Sequence, residues 1–331
     1  MRFAVETWAP EYGVGADEEA LEDGGEAVDV DVEVPAAAWA PVRPADRPAT
    51  RVTFVDGVRR IDARVWITDD AGVHAGVCAS VAAGAVVADG AGARVVEHRV
   101  ERAVVATGAT AGEAIDTVHG PYGFVSVHGD EPEAVYLAIH ELMTALEAGV
   151  ATTPDGGVVV YDGPLRGRHA EQAVGYVKTQ RVRYLPDALM PVLTSLDDGE
   201  RTPLFLIGGR GFRRWSCYVR LPGPRSHPLA GIVRLELPGA AVDAAGRAGM
   251  LAATLPRFAS EPHKEPRAPQ NLYPIAGLEQ RLRHLLGDPF VMERALRRAA
   301  GDQRKSPTSS STSATAGWPA ASAASSAATA R

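Results

Sequence analysis

Two short apolar runs, Phe54-Val55 and Val158-Val159-Val160-Tyr161, each stop at an Asp-Gly pair, and an amphipathic segment lies between them. An Asp where a buried strand ends keeps its backbone anchored while its carboxylate reaches the sheet edge. A helix between two such strands must lay its apolar stripe on their sheet. That helix is expected over 131–148, where Val135, Ile139, Leu142 and Leu146 recur at intervals of three and four and Pro132 suits the first turn. Ahead of it, 50–55 and 61–67 read as strands joined by a turn at Asp56-Gly57-Val58-Arg59-Arg60, followed by strands over 73–87 and 94–106. Behind it, Val158–Tyr161 has the form of a buried central strand closed by Asp162-Gly163-Pro164. Further strands are expected over 175–183, 204–208, 215–221 and 231–237, and helices over 240–255 and 277–286, the last extending through 290–299. The order predicts an α/β protein with one mixed sheet and flanking helices.

Charge distribution narrows the function classes. The net charge of −7 argues against a nucleic-acid partner, because phosphate binding rests on Lys and Arg. Residues 1–50, however, hold 12 acidic and 3 basic side chains, and 302–331 hold 1 and 3, which leaves 28 of each sign in 51–301. Within that neutral body, 163–185 carries Arg166, Arg168, Lys178, Arg181 and Arg183 against the single acid Glu171. A local basic strip beside a candidate site outweighs the global sum. No apolar run is long enough for a transmembrane helix, and the N-terminus lacks a basic start followed by an apolar stretch, so a cytoplasmic address is expected. Cys78 and Cys217 lie on separate apolar segments and read as buried free thiols.

The chain divides into an acidic extension over 1–49, a folded body over 50–301 and a tail over 302–331. Val28–Val34 alternates with the period of a half-exposed strand. The tail is almost wholly Ser, Thr, Ala, Gly and Pro, with too little apolar bulk to offset chain entropy.

Asp56 and Asp162 are the prime candidates for chemistry. Asp-Gly alone marks a turn; two such pairs on strands that lie side by side make the carboxylates converge, which is costly unless a cation or a shared proton neutralises them. A third acid is expected from the intervening helix, among Glu133, Glu141 and Glu147. Glu141, mid-helix and 21 residues before Asp162, has the helix-loop-strand reach of ribonuclease H-like sites. The element order is likewise that of a ribonuclease H-like mixed sheet. No Walker-type Gly-Lys-Ser/Thr, Gly-x-Ser-x-Gly or His-Glu-x-x-His is present, so the chain should not power its own translocation.

Over about 50–290 the sequence resembles the NurA nuclease family. It shares a first-strand Val55-Asp56-Gly57, a helix acid matched to Glu141, a later Asp162-Gly163-Pro164-Leu165, a downstream Lys178 and a Tyr273-Pro274 segment. The family's Tyr-Pro segment is followed by a His that completes the site. Here that position falls near Arg281, with His284 a turn later and His263 upstream as substitutes. The resemblance implies hydrolysis of DNA phosphodiesters with Mn2+ or Mg2+, hard ions suited to an all-oxygen set of Asp56, Glu141 and Asp162. It also implies Lys178 and Tyr273 in the site, a homodimer, and a helicase or translocase ATPase partner. Arg166, Arg168, Arg181, Arg183, Arg210, Arg213 and Arg214 are candidate phosphate contacts, and Phe212, Trp215 and Tyr273 candidate stacking residues. The other reading is a catalytically inactive ribonuclease H-like scaffold that binds DNA or a motor ATPase.

Because the tail cannot bury a core, truncation after Gln303 should leave the melting temperature within error; a drop of several degrees would mean that it docks.

Overall fold

The computed structural model describes residues 2–5 and 26–303, apart from 71, 110–111, 129–131, 152–156, 166–167, 169, 179–181, 210–211 and 226–227. The strands, in chain order, are β1 (Arg2–Val5), β2 (Ala27–Asp29), β3 (Val52–Asp69), β4 (Gly72–Asp89), β5 (Gly92–Thr107), β6 (Gly123–Val127), β7 (Val158–Asp162), β8 (Ala173–Val177), β9 (Phe205–Gly209), β10 (Phe212–Arg220) and β11 (Ile232–Pro238). The helices are α1 (Pro132–Val150), α2 (Met190–Ser195), α3 (Ala244–Thr254), α4 (Tyr273–Leu285) and α5 (Pro289–Gln303).

All strands join one sheet in the order β2-β9-β10-β11-β8-β7-β3-β4-β5-β6, with β1 paired to the distal end of β3. β3, β4 and β5 form the expected antiparallel meander, α1 follows, and β7 returns parallel to β3, with β8 parallel to β7. The path β5-β4-β3-β7-β8 is the ribonuclease H-like arrangement. Alternation along β3 and β7 then separates two cores. Phe54, Val160, Val174 and Tyr176 meet Leu251 and Leu255 from the α3 region and Leu272 and Ile275 around the start of α4. Val55, Val159 and Tyr161 meet Val135, Ile139, Leu142 and Leu146 of α1 on the other face. No helix among the described residues is long and apolar enough to cross a membrane, and both cysteines are buried free thiols.

The expected turn at Asp56–Arg60 does not form. β3 runs unbroken through it, with Asp56 opposite Gly84 and Gly57 opposite Ala83 on β4. The polar residues that read as a turn are strand residues whose heads reach partners: Arg59 contacts His140, and Arg60 contacts Asp62. Gly57 is small for a different reason. A Cβ there would stand 2.6 Å from Met143 Cγ and 2.7 Å from Glu147 Oε1, so the glycine permits the close approach of α1. Other boundaries shift less. The strand expected over 175–183 stops at Val177, and the alternating run 28–34 contributes only to β2, an edge strand on β9. The single helix expected over 277–299 is two helices, because the chain turns at Gly287 with a φ of 82°. Within the acidic extension, Trp39 is buried and Glu33 pairs with Arg201.

A buried polar hub ties the meander to α4. The Asp62 carboxylate accepts from Arg60 Nε at 2.8 Å, Ser80 Oγ at 2.5 Å and Tyr122 Oη at 2.9 Å. Arg60 also donates to the carbonyls of Leu286 and Gly287, groups that a helix C-terminus leaves unpaired. Burial, reinforced by the Asp62 charge, raises the Tyr122 phenol far above its ordinary range, so it remains a donor. Asp62→Ala should therefore cost about 3–5 kcal/mol, the penalty for stranding a buried charge partner, and Ser80→Ala about 1 kcal/mol. Urea unfolding measures both; a near-neutral Asp62→Ala would remove the hub from the account.

Candidate active site

The site is built by the register of two parallel strands. Phe54 is level with Val160 and Val55 with Tyr161, so the next step sets Asp56 beside Asp162 on the face that carries Phe54 and Val160. Neighbouring strands lie about 4.8 Å apart. β7 ends at Asp162, and Gly163, at a φ of 100°, turns the chain away. The edge on which these acids sit is thus made by the end of β7, not by a break in β3. The turn is pinned from behind: Leu165 N donates to Glu236 Oε2 at 2.8 Å, and Glu236 Oε1 accepts from Arg214 Nε at 2.9 Å and Arg234 Nη1 at 2.5 Å. Against burial, which raises it, the two guanidiniums hold the Glu236 carboxyl below its ordinary value.

The two acids are electrostatically strained. Burial pushes Asp56 well above the usual carboxylate range, and the Asp162 charge adds to the effect, with smaller contributions from Glu147 and Glu279; Lys178 opposes them. Asp162 is also raised by burial, although Lys178 Nζ donates to its Oδ2 at 2.7 Å. Lys178 is steadied by Asn271 Oδ1 at 3.0 Å, and the buried Asn271 donates in turn to Glu265 Oε2 at 3.1 Å. The other Asp162 oxygen, Oδ1, is buried with no hydrogen-bond partner among the described residues.

The buried acid of α1 is not the expected one. Glu141 is exposed on the face of α1 that also shows Leu137, whereas Glu147 is buried against Gly57. Six residues at about 100° each set the two on different faces of the helix. Arg168 pairs with Glu147 and lies 4.2 Å over the centre of the Tyr161 ring, a position beside the site that it was expected to occupy for phosphate. A second acid comes from α4: Glu279, buried on the stripe of Ile275, Leu278 and Leu282, is held by Arg267 at 2.6 Å and Arg283 at 2.8 Å. Arg281 and His284 on the same helix are exposed, and His263 pairs weakly with Glu261 at 3.6 Å. Tyr273 is partly exposed at the start of α4 and donates to Glu261 at 3.1 Å.

Of the expected phosphate contacts, Arg214 is buried and bound to Glu236 and Glu26, so it is a structural residue. Arg213 is exposed on β10, and exposed Arg183 pairs with Asp187. Arg166, Arg181 and Arg210 lie outside the described residues. Phe212 packs partly buried against the core on the α1 side of the sheet, and Trp215 against the opposite core. Asp56 and Asp162 could hold a hard cation between all-oxygen donors, but among the described residues no group of three His, Cys, Asp or Glu side chains stands ready to enclose one.

Sheet order and register together define a ribonuclease H-like α/β protein with two acids side by side on one face of its sheet. The NurA domain model matches residues 52–283, most of the chain, and the chain belongs to the NurA family. Among solved structures, the NurA nuclease from Sulfolobus solfataricus is similar at 14% identity, a TM-score of 0.47, and coverage of 81% of this chain and 87% of that one. No curated protein matches.

A carboxyl whose folded-state pKa is raised binds more protons folded than unfolded, so its burden on stability grows as pH rises from the unfolded value through the folded one. Asp56→Asn should therefore raise the melting temperature in EDTA at pH 8, by about 2–4 °C per kcal/mol relieved, and raise it much less at pH 4. An equal shift at both pH values would show that the charge is not the cause.

Proposed function

We propose that the protein is a metal-dependent nuclease that hydrolyses DNA phosphodiesters at Asp56 and Asp162. One observation carries the reading: a buried carboxylate, Asp56, and a half-buried one, Asp162, stand side by side with Lys178 between them in charge, and Asp162 Oδ1 has no hydrogen-bond partner among the described residues. Like charges packed together need a cation or a shared proton between them, and an oxygen-only donor set suits Mn2+ or Mg2+. Bound there, such an ion would polarise the phosphate and activate water. The chain's own residues do the rest. Lys178, fixed by Asn271, offers its charge to a phosphate oxygen, and the Glu236 anchor keeps the end of β7 from drifting. Glu147, held by Arg168 on the α1 side of the sheet, lies across β3 from the two Asp side chains and contributes charge rather than a ligand.

Family membership supports a DNA substrate, a homodimer and a translocase ATPase partner as further parts of this reading. Support for a second copy comes from β5, whose edge away from β4 has no described partner between Gly92 and Arg102, and which leaves Val95 and Val96 exposed there. An open strand edge of that length is a ready template for another chain. The inactive-scaffold alternative draws on the neighbouring acids, because Glu147 and Glu279 are both already claimed by arginines.

Asp162→Asn should abolish cleavage of end-labelled DNA in Mn2+ and Mg2+ while DNA affinity holds or improves, since a ligand and a repulsive charge disappear together. Lys178→Ala should instead weaken binding and flatten the salt dependence by up to about one unit of slope. Full cleavage by Asp162→Asn would sink the site. Binding without cleavage by the unaltered protein under either ion would favour the scaffold.

A further inference from the structure

At the end of β10 a positive charge is buried without a counter-charge. Arg220 is 2% exposed. Its guanidinium donates to four main-chain carbonyls: Nε to Leu196 O at 2.6 Å, Nη1 to Ala230 O at 2.5 Å, and Nη2 to Thr194 O at 3.1 Å and Pro228 O at 2.9 Å. A guanidinium carries five N–H donors, so one Nη1 hydrogen has no acceptor among the described residues, and no carboxylate among them forms an ion pair with Arg220. Buried charges are ordinarily paired. Carbonyl dipoles satisfy the donors of this one but leave the charge itself unanswered.

Arg220 forms one wall of a cavity of about 310 Å³, lined also by Thr194, Arg225 and Pro228. Arg225 brings a second guanidinium. Asp197 and Asp198 both contact its Nη2, at 3.2 Å and 3.1 Å, which leaves Nε and Nη1 uncommitted among the described residues. Burial, and after it the Arg225 charge, depress the Arg220 guanidinium below its ordinary value; Asp198 and Asp197 each offset this less. The cavity thus faces net positive charge at its inner wall. That wall is also fixed: Arg220 N donates to Glu200 O at 3.0 Å, Gly199 N to Arg220 O at 2.8 Å and Leu221 N to Gly231 O at 2.8 Å. A cage held in this way spends little ordering itself around a ligand. The place is distinct from the acid pair. Asp162 is level with Tyr176, Leu235 and Cys217 on the three strands that follow, and Arg220 lies three residues past Cys217. Strand spacings of about 4.8 Å and a rise of about 3.3 Å per residue put it roughly 17 Å from Asp162.

We propose that this cavity is a binding site for a phosphate dianion, free or as the end group of a small phosphomonoester. One phosphate oxygen takes the remaining Nη1 hydrogen of Arg220, and the uncommitted edge of Arg225 takes another. Thr194 Oγ1, which now shares its hydrogen between Met190 O and Pro191 O at 3.2 Å each, can turn to donate to a third. Guanidiniums suit phosphate because their planar donor forks match its oxygens. Two of them answer a double charge; a phosphodiester, with one charge and two substituents, would leave one unanswered. The site is therefore a small-molecule site, and it stands whether or not the acid pair cleaves DNA.

The full chain in EDTA at pH 8 tests this. Inorganic phosphate at about 10 mM should raise the melting temperature by about 2–5 °C over sodium chloride of equal ionic strength, because a ligand that binds only the folded state stabilises it. In a calorimetric titration Arg225→Gln should weaken phosphate binding about tenfold, the scale of one charge-assisted hydrogen bond. Asp198→Asn should strengthen it, since a repulsive charge goes. Both side chains are about half exposed, at 48% and 49%, so both variants should fold. Lys178→Ala should bind phosphate as the unaltered protein does, which separates this cavity from the acid pair. Phenyl phosphate distinguishes the sources: tighter binding than inorganic phosphate identifies a phosphomonoester as the ligand, and equal or weaker binding identifies free phosphate. Dimethyl phosphate should bind at least about tenfold more weakly than inorganic phosphate. Absence of phosphate binding, undiminished binding by Arg225→Gln, loss of binding in Lys178→Ala, or equal binding of dimethyl phosphate would each overturn the proposal.

Discussion

The structure turns on a single register. Pairing β3 with β7 in parallel places Asp56 and Asp162 on adjacent strands and one face, and every polar arrangement nearby answers the cost of doing so. Lys178 neutralises one acid, Asn271 holds the lysine, and Glu265 holds the asparagine. Around this line Arg168 balances Glu147 and two arginines balance Glu279. Glu236 with its own arginines fixes the chain just past Asp162, where a rotation at Gly163 would otherwise part the acids. Buried charges of this kind add little net stability; their worth lies in holding a geometry that apolar packing could not specify.

Such a cluster also explains why the acids sit where a strand stops. In the interior of a sheet both lanes beside a strand are filled, and no substrate could approach. Just past Asp56 one lane is empty because β7 has ended, while β4 continues on the other side and keeps the β3 backbone rigid. Rigidity from one neighbour and access from the absence of the other are a sound basis for chemistry, since a reacting group needs a fixed position and an open approach.

Much of this was legible in the sequence. The strands of the meander, α1 and the short buried β7 follow from periodicity, and their order alone gives the sheet. The Asp-Gly pair at 56 misled, because glycine there serves helix approach and not a turn, a fact that depends on Met143 and Glu147 arriving from far along the chain. The choice between Glu141 and Glu147 was open to reading. Glu147 follows Ile139, Met143 and Leu146 around the buried stripe, while Glu141 falls with exposed Leu137; linear spacing pointed to the exposed one. Glu279 carried the same signal, an acid on the apolar stripe of α4. Arg214 did not. Its burial follows from the pairing of β10 with β11, which puts Glu236 across from Ser216, within reach of a long side chain two residues away.

The break at Gly287 has a practical consequence for anyone who tethers this molecule. It sends α5 to the distal half of β3, where Met292, Leu296 and Ala300 pack with Ala63, Val65 and Ile67. At about 3.3 Å per residue along the strand, that contact lies roughly 23–36 Å from Asp56. A dye, bead or fusion partner joined after Gln303 therefore departs from the half of the molecule that carries no acid pair, which leaves the other end free to be watched while it works.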